Sequence, residues 1–167
     1  MPHQFDNAVF EQALTLTETW EFELAIEKIL EIKTGEWTRA RANKAVQNYK
    51  RYMAVTKALG GLQMVPNGDI DEIWHMHILD TRAYMADCNA LFGEYLHHYP
   101  YFGMLGDENR QQWLEVQKVS TKLWEQLFGE PLYGASSAPQ KCPQVCPCHI
   151  DDLTIMSSGL PESLRSA

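Results

Sequence analysis

The sequence predicts an all-α protein: a compact helical bundle of about four to five helices with an ordered, histidine-containing loop and a flexible C-terminal tail. Apolar residues recur at spacings of three and four along most of the chain, as in helices with one buried face. No stretch alternates apolar and polar residues between turn signals, which argues against a β-rich fold. The 167 residues are enough for one domain with its own core.

Two helical segments come first. Residues 5–33 carry a helical apolar stripe that Thr17 or Thr19 could interrupt, so this segment is predicted to be one helix or two. The next helix is predicted over residues 38–59, where the pair Gly60-Gly61 ends it.

The third helix is predicted as one element over residues 69–92. Asp69 and Glu72 stand three residues apart at its start, which is the spacing of a capping box. Several glycines and a proline then favour an ordered loop over 94–107, and a fourth helix is predicted over 108–128.

The composition changes after Tyr133, which divides the chain into two regions. Residues 1–133 are predicted to form the helical domain. Residues 134–167 are predicted to be a linker and a cysteine-containing tail, both flexible, since the stretch 134–140 is built from Gly, Ala, Ser, Pro and Gln.

Charge and pattern exclude several classes of function. The net charge of −8 opposes binding to phosphate backbones, so no nucleic-acid partner is expected. The chain carries no glycine-rich phosphate loop, so no nucleotide cofactor is expected. It has no secretory signal and no run of roughly 18 apolar residues. We therefore expect a cytoplasmic protein without membrane contact, whose cysteines are reduced.

Histidines are concentrated in one part of the chain. Four of the six fall within 24 residues, at His75, His77, His97 and His98. Imidazole and carboxylate groups are common ligands of zinc, iron and related ions, so a metal site is one interpretation. A buried polar network and a set of surface histidines are the two alternatives.

Helical geometry limits how these histidines can act together. His75 and His77 point about 200° apart on a straight helix, so they cannot both bind one ion from the same side. His77 is predicted to face the core. His75 and Asp71 are four residues apart and can meet, so they could begin a site that the loop over 94–100 completes.

Two motifs carry a family resemblance. Residues 69–81 contain the run Trp-His-Met-His, and residues 96–100 read Leu-His-His-Tyr-Pro, with Gly103 soon after. Together they resemble the signature of the glycine-rich domain-containing protein-like family, in its bacterial type. The resemblance covers residues 45–132. The chain has only ten glycines and no glycine-rich region, so the growth and stress roles linked to plant relatives do not carry over.

The resemblance implies that the polar residues of this helix and loop form one site. The implied ligands of a divalent transition metal (zinc, iron or copper) are His75, His77, His98 and Asp71, with His97 as a weaker candidate. The candidates for a catalytic role are Asp80, which could also orient a ligand, and Tyr84, which could donate a hydrogen bond to a substrate.

The tail offers a second, weaker set of metal ligands. Its members are Cys142, Cys146, Cys148 and His149. Thiolates and imidazole at this density suit zinc or copper, but the spacing departs from the common Cys-x2-Cys pairs. Reactive thiols on a flexible tail, and a tail that folds back onto the histidine centre, are the alternatives.

Two functions follow from these observations. The first is a metal-binding helical protein that could act as a small metal-dependent enzyme. The second is a non-enzymatic helical interaction module with a protein or peptide partner, whose histidines form a structural polar network. Five tryptophans and seven tyrosines in a chain of this size favour such an interface. The sequence does not choose between the two, and it does not give the oligomeric state.

Overall fold

The structure, a computed structural model, describes residues 5–134. Six helices build this part of the chain. These residues contain no strand, so the prediction of an all-α fold is confirmed, although the helices number six rather than four to five. The predicted tail and its cysteines lie outside the described residues from 135 onward. The helices are α1 (Asn7–Glu18), α2 (Glu23–Ile32), α3 (Arg39–Ala58), α4 (Gly68–Leu79), α5 (Thr81–Phe92) and α6 (Asp107–Phe128).

The predicted single helix over 69–92 is wrong: it is two helices, which meet at Asp80. The backbone of Asp80 leaves the helical region at φ −82° and ψ 73°, and its carboxylate accepts a hydrogen bond from the amide of Ala83. One aspartate therefore ends α4 and caps α5. Apolar periodicity runs through the break, because both helices bury one face in the same core, and so it hides the turn.

The predicted capping box is also wrong. Asn67 caps α4, and its side-chain oxygen accepts from the amide of Ile70 at 2.8 Å. Asp69 instead pairs with Arg41, and Glu72 pairs with Lys33. These two ion pairs join the start of α4 to α3 and to the end of α2. Tertiary packing brings the partners together, so the local sequence does not predict the pairs.

Helix α3 lies at the centre of the bundle, where it packs against α1, α2 and α4. Its buried residues include Val46, Tyr49, Met53 and Thr56, which recur at helical spacings of three and four. The break between α1 and α2 falls at Thr19, the C-cap of α1, which is one of the two predicted positions. Within residues 5–134, no helix has both the length and the apolarity that a membrane crossing requires.

The loop over 93–106, between α5 and α6, is tied to the fold at its C-terminal end. Phe102 is buried, and the amide of Gly103 donates to the side chain of Asn109 at 2.6 Å. Gly103 has φ +84° and lies so close to Trp113 that a Cβ there would be 2.9 Å from the indole Cγ. A glycine is therefore required where this loop passes over α6.

Candidate metal centre

Three of the predicted ligands meet at one point, although they come from two segments of the chain. Asp71 and His75 lie one turn apart on α4, and His98 comes from the 93–106 loop. The Nε2 atom of His98 is 2.9 Å from Oδ1 of Asp71, and Nδ1 of His75 is 3.4 Å from Oδ2 of the same carboxylate. One carboxylate therefore links both imidazoles.

The spacing of these atoms suits a transition metal ion. Asp71, His75 and His98 each offer one ligand atom, and all three atoms lie within 4.8 Å of one another. Ligands about 2.1 Å from a tetrahedral zinc ion stand about 3.4 Å apart, so small side-chain movements would bring these atoms into position. Two imidazoles with one carboxylate also form the donor set of catalytic zinc and non-haem iron sites.

Exposure differs sharply among the three residues. The side chain of His98 is 6% exposed and that of Asp71 is 11% exposed, whereas that of His75 is 44% exposed. The two inner groups are therefore held within the fold, and the cluster opens to solvent on the side of His75.

Two buried side chains hold the loop immediately before His98. The hydroxyl of Tyr84 donates to the carbonyl of Leu96, and the side-chain amide of Gln63 donates to the carbonyl of His97 at 3.3 Å. The indole NH of Trp74 donates to the hydroxyl of Tyr84 at 2.9 Å. Helices α4 and α5 and the connector before α4 therefore fix the two peptide groups that precede His98.

His77 lies in a separate network, as its opposite direction on the helix predicts. Its Nδ1 is 3.0 Å from the hydroxyl of Tyr49, and its Nε2 is 3.0 Å from a carboxylate oxygen of Asp87. The rings of Trp20 and Phe22 also contact the imidazole. The structure thus confirms that His77 faces the core. It does not bring His77 to the other three residues, although the family resemblance placed His77 among the implied ligands.

The electrostatics of this network follow from burial. Burial lowers the pKa of His77 to about 4, against a weaker opposing effect of the negative charge at Asp80. Burial also raises the pKa of Asp87, and repulsion from Asp80 adds to that rise. At neutral pH, His77 is therefore a neutral hydrogen-bonding group that links α3, α4 and α5.

The remaining candidates take structural positions. Tyr84 is fully buried, its hydroxyl is engaged by Trp74 and Leu96, and burial raises the pKa of its phenol far above the ordinary value. Asp80 is an exposed helix cap. His97 is exposed, with its ring 5.0 Å from that of Tyr95. The tail candidates Cys142, Cys146, Cys148 and His149 lie outside the described residues.

Sequence reasoning missed Gln63 and Trp74 as parts of this region. Gln63 sits in a turn-rich connector, where nothing in the local pattern marks it as 2% exposed and bonded to a distant loop. Trp74 is a fully buried core residue, and its ring also lies 4.3 Å from that of His98. The adjacency of Trp74 and His75 in the motif was the one signal available.

Comparison with known proteins gives one match. A model of an uncharacterised family, described as UCP032817-like, matches residues 12–122. No curated protein and no solved structure matches the chain. The matched segment contains Asp71, His75 and His98. The description does not mention a glycine-rich domain, so the resemblance to glycine-rich domain-containing proteins stays a prediction.

Proposed function

We propose that this chain, which belongs to the UCP032817-like family, is a metal-binding helical protein. Its centre holds one divalent transition metal ion between Asp71, His75 and His98. The observation that carries the proposal is the convergence of these three groups within 4.8 Å from two segments far apart in the sequence. Such convergence has a cost unless a ligand or a bonding network uses it, because imidazoles and carboxylates lose hydration when they are brought together.

The donor set narrows the choice of ion. Two nitrogens and one carboxylate oxygen suit zinc and iron(II), both of which bind such sets in enzymes. Copper(I) favours thiolate and thioether ligands, and Cys88, the cysteine within the described residues, is not one of the three grouped residues. Copper(II) also binds nitrogen and oxygen ligands, but it prefers a square-planar arrangement of four ligands, and this cluster offers three. We therefore place zinc first and iron(II) second.

Three protein ligands leave at least one coordination position for a substrate or water, which is the arrangement of catalytic rather than structural zinc sites. A bound ion would act there as a Lewis acid, which suits a hydrolytic reaction. The chain's own residues would then have distinct tasks. Asp71 supplies negative charge and His98 a buried, fixed imidazole, while the exposed edge of His75 borders the opening.

The test is zinc binding by the full-length chain in which Cys142, Cys146 and Cys148 are replaced by serine, so that the tail thiols do not contribute. Titration against a chromophoric chelator is expected to give one ion per chain. His75→Ala is expected to reduce the affinity at least 100-fold. His97→Ala is the matched control, because it removes an exposed imidazole from the adjacent loop, and it is expected to bind zinc normally.

Two results would overturn the proposal. Either the parent chain binds neither zinc nor iron(II), with the latter tested under anaerobic conditions, or His75→Ala and His97→Ala bind the ion equally well. Because His75 is partly exposed, its replacement is expected to leave the fold intact, so that loss of binding reports on the ligand itself.

A second candidate function is an interaction with a protein or peptide, favoured by exposed apolar side chains. Four of them lie on the loop that carries His98, at Tyr95, Tyr101, Met104 and Leu105. Apolar groups exposed together on one loop are typical of binding surfaces. A partner that binds the parent chain and His75→Ala equally, and is lost when Tyr101 and Leu105 are replaced by serine, would support this function. A partner unaffected by the serine replacements would contradict it.

A further inference from the structure

We infer that Tyr84 is a positioning residue of the metal centre: its hydroxyl holds the main chain of the 93–106 loop so that His98 stands in the ligating position before an ion arrives. This inference rests on the proposed function, because it concerns the same site. Tyr84 would touch neither the ion nor a substrate, and would act through the carbonyl of Leu96 and through Trp74.

The hydroxyl of Tyr84 is used in both of its hydrogen-bonding roles. It accepts from the indole NH of Trp74 at 2.9 Å and donates to the carbonyl of Leu96. The side chain is fully buried, so water does not compete for either bond. The phenol therefore joins α4, α5 and the loop at one atom.

The second link runs through the indole. The ring of Trp74 lies 4.3 Å from the imidazole of His98, between centroids. Trp74 directly precedes His75 on α4. The residue that packs on His98 is therefore the sequence neighbour of His75. The bond to Tyr84 fixes the indole, and the indole in turn limits the orientations open to the imidazole of His98.

Gln63, in the connector before α4, adds a second restraint on the loop. Its side-chain amide donates to the carbonyl of His97, the residue after Leu96. The carbonyls of two successive residues before His98 are thus bonded to buried side chains. The loop is therefore ordered when the chain folds, so the conformational entropy lost by ordering it does not weaken metal binding.

The experiment compares metal affinity in two variants that each delete one tyrosine hydroxyl. Tyr84→Phe removes the bond to the loop. Tyr133→Phe is the matched control, because its hydroxyl donates to the carbonyl of Val65 at 2.7 Å and does not contact the site. Zinc affinity is measured by chelator competition in the background without tail thiols, and Co²⁺ is used as a spectroscopic probe of the ligand geometry.

Tyr84→Phe is expected to bind zinc about 10–100-fold more weakly than the parent, as is found when groups that orient metal ligands are removed. Its Co²⁺ absorption bands in the visible region should also change. Tyr133→Phe should keep the parent affinity and spectrum. A merely structural role for Tyr84 would lower the melting temperature and leave both readouts unchanged.

The outcomes separate this inference from the proposed function. If the parent binds zinc and Tyr84→Phe keeps the parent affinity and Co²⁺ spectrum, the inference is overturned and the proposed function is not. Absence of binding by the parent would overturn both. If Tyr84→Phe does not fold, Gln63→Ala provides the test, since it releases the carbonyl of His97. Parent-like zinc affinity in Gln63→Ala would then overturn the inference.

Discussion

The Nε2 atom of His98 lies 2.9 Å from Oδ1 of Asp71, although 27 residues separate them in the chain. This contact closes the 93–106 loop onto α4 and places a buried carboxylate between two imidazoles. An ion bound there would join the loop and the helix more firmly than the hydrogen bond does, which makes stability a sensitive measure of binding.

Zinc is therefore expected to stabilise the parent chain. At a free zinc concentration 100 times the dissociation constant, the free energy of unfolding should rise by about 2.7 kcal/mol, provided that the unfolded chain does not bind the ion. Urea unfolding with zinc or with a chelator measures this difference. His75→Ala should show no such rise, and an equal rise in both chains would contradict a role for His75.

Replacement of His77 by phenylalanine should destabilise the fold without affecting zinc. Phenylalanine keeps an aromatic ring of similar size at this position, but the buried hydroxyl of Tyr49 and the carboxylate of Asp87 lose their partner. An unpaired buried polar group costs about 1–3 kcal/mol. Because the side chain of Asp87 is 27% exposed and can recover some hydration, we expect a loss of about 2–4 kcal/mol for the two groups in urea unfolding.

The control for this prediction is His97→Phe, which changes an exposed side chain and should cost under about 0.5 kcal/mol. Lost zinc affinity in His77→Phe, with His97→Phe unaffected, would show that His77 belongs to the metal centre after all.

The same network predicts how stability depends on pH. The folded chain keeps His77 neutral, with a pKa of about 4, whereas the unfolded chain protonates it at an ordinary pKa of about 6.5. The stabilisation is therefore complete above pH about 6.5 and is lost as the pH falls toward 4. The raised pKa of Asp87 acts in the opposite direction at the acidic end, because the folded chain then takes up a proton more readily.

Urea unfolding at pH 7.5 and pH 5, with a chelator present, measures this effect. The parent should lose about 2 kcal/mol more than His77→Phe over this range, from the difference between the two pKa values of His77. Equal losses in the two chains would show that His77 titrates normally in the folded protein.

Gly103→Ala should disturb the loop that carries His98. A Cβ at this position would adopt φ +84° and meet the indole of Trp113 at 2.9 Å. Gly93→Ala is the matched control, because Gly93 has φ +80° and nothing within 4 Å of its Cβ position.

Both variants carry the strain of about 1–2 kcal/mol that an L-residue has in the left-handed region. Gly103→Ala should lose about 1–3 kcal/mol more, from overpacking against Trp113. Thermal or urea unfolding gives the comparison. Equal stability of the two variants would mean that the loop can shift away from α6 without cost.

Local sequence predicts much of this fold because its helices are amphipathic and end at recognisable signals. The glycine pair after α3 and the helix over 108–128 are both found where the pattern places them, to within a residue or two. The break at Asp80 was not predicted, since apolar spacing continues across it. The cap at Asn67 was also missed, since Asp69 matched the pattern equally well and its true partner, Arg41, is 28 residues away.

The candidate site, like the fold, was predicted only where local rules apply. The i, i+4 spacing of Asp71 and His75 predicts that they meet, and the opposite direction of His77 predicts that it faces the core. Both follow from the fixed rotation per residue of a helix. No such rule relates a loop to a helix, so helical spacing does not decide which of His97 and His98 turns inward, and the preference for His98 rests on the family resemblance alone.

The sequence by itself therefore determined the helical class, most helix ends and the approach of Asp71 to His75 on α4, because these depend on contacts within a few residues. Only the tertiary structure decided that His98 joins Asp71 while His97 stays exposed, that Tyr84 and Gln63 hold the loop, and that His77 pairs with Tyr49 and Asp87. Each of these contacts joins residues at least ten positions apart, and such pairs are set by how the helices pack.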